Sequence, residues 1–111
     1  MNIQILPSLL AADMGNLEAA ARLAQKSGGD ALHLDIMDGH FVPNISMGPA
    51  VVEMANRCVS MPLSVHLMLT NPEEYVTRFA EAGADTILIH IEAECNVVET
   101  LEMIRNLGVK P

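Results

Sequence analysis

Along its whole length the chain alternates between short aliphatic runs and longer segments whose apolar residues recur at helical spacing. The runs at 3–9 (IQILPSL), 32–37 (LHLDIM), 63–69 (LSVHLML) and 85–92 (DTILIHIE) predict four strands. Pro7 is tolerable only near the end of the first of them. Between and after the strands fall four predicted helices. Asp13 or Asn16 is placed to cap the first, from about Leu17 to Lys26, and Ser27-Gly28-Gly29 stops it. Pro49 suits the first turn of the second, which continues to about Cys58. Asn71-Pro72-Glu73-Glu74 reads as a cap, a proline and acids at the positive end of the dipole; this third helix carries Tyr75, Val76 and Phe79 and closes at Gly83. The fourth runs from about Val97 to Asn106 and ends at Gly108.

Strict strand–helix alternation implies parallel strands joined by right-handed crossovers. No linker or composition shift divides the chain, so residues 1–111 form one α/β domain. The pattern alone permits either an open doubly wound sheet or the first part of a β/α barrel.

Composition narrows the function classes. A formal charge of −8 argues against nucleic acid or an anionic membrane as partner. With no Trp and few aromatics, aliphatic residues and methionine must fill the core. Cys58 and Cys95 lie far apart without CxxC spacing, as reduced, buried thiols do in a cytoplasmic protein. The opening MNIQILPSLL lacks the basic flank and apolar core of a signal peptide, and no segment is long enough to span a bilayer; a soluble, cytoplasmic protein is expected.

The candidate chemistry sits where the strand pattern is broken. His33, Asp35 and Met37 share one face of the second strand, while Leu34 and Ile36 share the other. The third strand repeats the oddity, with Ser64, His66 and Met68 on one face. Adjacent parallel strands thus offer two histidines at matching heights on a common face. With Asp35, two imidazoles and a carboxylate can converge on one divalent metal, and such a donor set accepts zinc, iron, manganese or cobalt. The plainer alternative for each histidine is a hydrogen-bonded core residue. Ser8 is either a pocket hydroxyl or a core hydroxyl bonded to backbone, and His90 either a further ligand or a rim histidine bonded to Glu92 or a carbonyl. Met37 and Met68 are packing or the flexible apolar walls of a small-molecule site. No GxGxxG, Walker or GxSxG motif occurs.

Four segments, LPSLLAAD (6–13), HLDIMDGHFVPNISMGP (33–49), VHLMLTNPEEY (65–75) and AGADTILIHIEA (82–93), resemble the ribulose-phosphate 3-epimerases, and the likeness runs from Ile5 to Pro111. Met47 departs from the family's usual aromatic residue, a change expected to alter packing only. The resemblance implies the first half of a TIM (β/α)8 barrel and a metal-dependent epimerase. Its reaction inverts C3 of D-ribulose 5-phosphate to give D-xylulose 5-phosphate in the pentose phosphate pathway, by proton abstraction through an enediolate. By position it makes His33, Asp35 and His66 ligands of one divalent metal ion and Asp35 a catalytic acid/base. Ser8, Met37, His66 and Met68 would contact a sugar phosphate. The family also implies a homo-oligomer. Related barrels decarboxylate with an Asp-x-Lys-x-x-Asp signature, but Met37 stands where that lysine would be. A 3-epimerase of a hexulose phosphate such as allulose 6-phosphate is the closer alternative; a non-catalytic, self-associating half-barrel module is another.

A complete β/α barrel takes about 250 residues and eight strands. In the family a second acid/base, an aspartate on the seventh strand that is also the fourth metal ligand, works from the opposite face of C3. Neither it nor the later glycine-rich phosphate-binding turns falls within these 111 residues, so the chain alone is expected to show little or no activity.

Overall fold

The computed structural model describes residues 1–111. Three parallel strands, β1 (Leu32–Met37), β2 (Leu63–Met68) and β3 (Thr86–Leu88), lie side by side in sequence order. Four α-helices alternate with them: α1 (Leu17–Lys26), α2 (Pro49–Cys58), α3 (Val76–Ala82) and α4 (Val97–Asn106). Successive helices pack on one another, α1 on α2, α2 on α3 and α3 on α4, as a sheet with consecutive parallel neighbours requires. The expected first half of a β/α barrel is the architecture found. No helix is long and apolar enough to cross a membrane.

The core occupies one side of the sheet. Leu32, Leu34 and Ile36 of β1, Val65 and Leu67 of β2 and Ile87 of β3 are buried there against Val52, Phe79 and Ile104 of the helices. Each such fully buried side chain contributes about 1.5–3 kcal/mol. Met47 is partly buried and packs against the rim of this core. On the opposite side His33, Asp35, Met37, His66 and Met68 are only partly buried, whereas Ser64 is buried.

Two predicted strands are corrected. Residues 3–9 form no strand. The segment runs extended beside β1 with Pro7 O accepting from His33 N and a single parallel bridge at Ser8–His33. Pro7 has no N–H to give the ladder, and Leu9–Ala11 turns away as a 3-10 helix whose cap is Ser8. Leu9 is the buried anchor of this segment. The fourth predicted strand shrinks from 85–92 to Thr86–Leu88. Its ladder ends where Leu88 meets His66. Beyond it, Ala93 N bonds His90 O and Glu94 N bonds Thr70 O, which folds the segment back over the end of β2.

Helix boundaries agree better. Asp13 caps a 3-10 turn, Met14–Asn16, that leads into α1, and Asn16 stands at the cap of α1 without a side-chain bond. The third helix is split into a 3-10 turn, Pro72–Glu74, and α3, with Asn71 making no cap bond. α3 ends at Gly83 with φ +118, a conformation glycine tolerates; a Cβ there would lie 2.5 Å from Asn56. Past α4, Lys110 makes a single parallel bridge with Thr86 at the outer edge of β3.

Candidate metal centre

The strand register places the cluster. Asp35 stands opposite His66, and His33 opposite Ser64. The pattern predicts the two histidines at matching heights, and the register corrects this: His33 lies two residues below His66. That offset brings both rings to one oxygen. His33 Nε2 is 3.2 Å and His66 Nδ1 3.0 Å from Asp35 Oδ1. One nitrogen from each ring and one carboxylate oxygen thus lie within 4.8 Å of one another. The three side chains keep 15–25% of their surface exposed, so the cluster is reachable from solvent.

Ser8 joins the cluster. Its hydroxyl donates to Asp35 Oδ2 at 2.7 Å and accepts from Leu10 N at 3.2 Å. The latter bond is the cap of the first 3-10 turn, so one side chain both ends the amino-terminal segment and fixes the carboxylate. Partial burial pushes the Asp35 carboxyl up. Hydrogen bonds from Ser8 and His66 and the charges of His33 and His66 outweigh it, and the net shift is below the ordinary value. Met37 and Met68 pair with each other across the ladder two residues beyond Asp35 and His66. By strand alternation they belong to the same face as the cluster.

The residues fit a divalent ion. First-row ions take imidazole nitrogen and carboxylate oxygen at about 2.0–2.2 Å, so donors sharing one ion come to about 3 Å apart. The other nitrogen of each ring is engaged as well. His33 Nδ1 lies 3.2 Å from Ser64 Oγ, and His66 Nε2 lies 2.7 Å from His90 Nε2. Such outer bonds orient metal-binding imidazoles. His90 is thus neither a fourth member of the donor group nor bonded mainly to Glu92, which stands 3.6 Å from its Nδ1. Its place against His66 was hidden in the sequence, because it depends on where β3 ends.

Asp38, at the end of β1, fixes the surrounding loops. Oδ1 accepts from His40 N and Phe41 N, and Oδ2 from Thr70 N, all at 2.9 Å. Slight burial pushes its carboxyl up, but these three amides hold it down at about 2. Gly39 follows with φ +77, which the tight turn requires. A separate cavity of about 530 Å3 lies between the loops after β1 and β2; it includes Met37 but not the donor residues or Met68.

A parallel β/α sheet with two imidazoles and a carboxylate gathered on its open face defines a β/α protein with a candidate metal centre built from adjacent strands. The sequence profile described as the ribulose-phosphate 3 epimerase family matches residues 4–111. This chain belongs to that family. It is 44% identical over 108 residues to the ribulose-phosphate 3-epimerase of Bacillus subtilis, covering 97% of this chain and 50% of that protein. The Synechocystis protein of the same name is 44% identical over 111 residues, covering 98% of this chain and 48% of its own length. A rice protein named as the cytoplasmic isoform of ribulose-phosphate 3-epimerase is 42% identical over 109 residues, with 97% and 48% covered. The chain therefore spans about half the length of these relatives.

Proposed function

We propose that the chain carries the metal-binding and first acid/base part of an epimerase site that acts at C3 of D-ribulose 5-phosphate in the cytoplasm. The convergence of His33 Nε2 and His66 Nδ1 on Asp35 Oδ1 carries this reading, together with membership of the family. One divalent ion held by those three atoms would supply positive charge beside a 2-ketose and make its C3–H more acidic. Asp35 has a second oxygen for the proton. Its Oδ2 faces Ser8 rather than the imidazoles, and the hydroxyl holds that oxygen in place and favours its ionised form. Abstraction from C3 then asks only that the substrate lie within hydrogen-bond reach of Oδ2. Met37 and Met68 are the flexible apolar neighbours of the substrate on the same face.

Inversion needs a second acid/base on the other side of C3, and a phosphate needs donors beyond this acidic chain. Both are supplied in this reading by the half of the relatives that lies outside the match. Self-association belongs to the same reading, since Ile5, Leu88 and Ile91 are exposed at the edges and end of the sheet.

The test joins this chain to the remaining half of the Bacillus subtilis relative. Chain and chimera are each incubated with ribulose 5-phosphate and a divalent metal in deuterated water and followed by NMR. Deuterium at C3 with xylulose 5-phosphate is expected from the chimera, and no inversion from the chain alone. Asp35→Asn should lower the chimera's turnover by about 10²–10⁴-fold. A folded chimera that is silent overturns the activity, and an unchanged rate in Asp35→Asn overturns the base.

A further inference from the structure

We infer that His90 is the positioning residue of His66, holding that ring so that Nδ1 faces the metal. The inference rests on the metal centre proposed above. His66 and His90 approach through their Nε2 atoms at 2.7 Å, with ring planes inclined by 28°. Their ring centres are 4.9 Å apart, longer than the N–N distance by about two ring radii. The nitrogens therefore lie nearly on the line joining the rings, as in an in-plane hydrogen bond and not a face-to-face stack. On its flank His90 meets Phe41, ring centres 5.0 Å apart, and its Nδ1 looks toward Glu92 Oε2 at 3.6 Å.

The tautomers of the two rings give the contact its role. As a hydrogen bond, the 3.0 Å contact between His66 Nδ1 and Asp35 Oδ1 puts the His66 proton on Nδ1, and His90 then donates from Nε2. To bind an ion through Nδ1, His66 must carry its proton on Nε2 instead. His90 Nε2 is then the acceptor, with its own proton on Nδ1 toward Glu92. One proton leaves His66 Nδ1, one passes from His90 Nε2 to His66 Nε2, and one arrives at His90 Nδ1. The pair's total is unchanged. His90 thus bonds His66 in both states, and the ring never has to turn.

Two substitutions separate the hydrogen bond from the ring. His90→Phe keeps an aromatic ring beside Phe41 but removes the partner of His66 Nε2. His90→Gln removes the ring but keeps an amide that can donate or accept. Co(II) affinity is measured by competition with a chromophoric chelator for the wild-type chain, both variants and Asp35→Asn, with circular dichroism to check folding. His90→Phe should bind about 10–100-fold more weakly, while His90→Gln stays near wild type. Equal binding by His90→Phe and wild type overturns the inference, as does equal weakening in Phe and Gln. If wild type binds no better than Asp35→Asn, the metal centre itself fails and the inference with it, a distinct result. A second reading needs no variant: long-range 1H–15N correlation of the imidazoles in the zinc-loaded wild-type chain should place the His90 proton on Nδ1. Its presence on Nε2 with zinc bound overturns the inference.

Discussion

The two faces of one sheet divide fold from chemistry residue by residue. On β1, Leu32, Leu34 and Ile36 are at most 3% exposed beneath the helices, while His33, Asp35 and Met37 between them stay partly open. The helix side is apolar and close-packed, and its stability comes from area removed from water. The open side is polar, its side chains held by hydrogen bonds to named atoms: Ser8 to Asp35, Ser64 to His33, His90 to His66. Neighbouring positions on one strand should therefore respond to substitution in different currencies, one in stability and the other in binding.

The sharpest contrast is between Leu34 and Asp35. Leu34→Ala should cost about 2–5 kcal/mol of stability, read by urea denaturation. Asp35→Asn should change stability by no more than about 1 kcal/mol. A large loss of stability in Asp35→Asn would erase the division. Ser8 straddles both sides, since its hydroxyl caps a turn and holds the carboxylate. Ser8→Ala should cost about 1 kcal/mol and weaken metal uptake too; loss of stability alone would confine Ser8 to the fold.

Asp38 sharpens the comparison by pH. Its carboxyl is held at about 2, below an unfolded value of about 3.9. A depressed folded value stabilises the ionised form, so the contribution is complete above the unfolded value and lost as pH falls toward 2. Thermal melts from pH 5 to pH 2 should show wild type losing more stability than Asp38→Asn. Parallel pH profiles would mean that the three amides of the loops do not depend on that charge.

Much of this division was legible in the sequence. Period-two alternation separated Leu34 and Ile36 from His33, Asp35 and Met37, and helical spacing, Pro49 and the closing glycines gave the extents of α1, α2 and α4. Register was not legible, because it is fixed by pairing between distant segments. For that reason His33 and His66 were expected level, whereas the ladder sets His66 against Asp35. The same limit hid His90, whose partner depends on where the β3 ladder stops. At Pro7, a missing N–H outweighed an aliphatic run that otherwise reads as strand.

The most direct measurement is the metal content of the chain after equilibration with Co(II) or Zn(II) and removal of free ion, for wild type and Asp35→Asn side by side. The account predicts one ion per wild-type chain and a large loss in Asp35→Asn with the fold intact. Equal metal content in the two proteins, or none in either, would contradict a centre built on His33, Asp35 and His66.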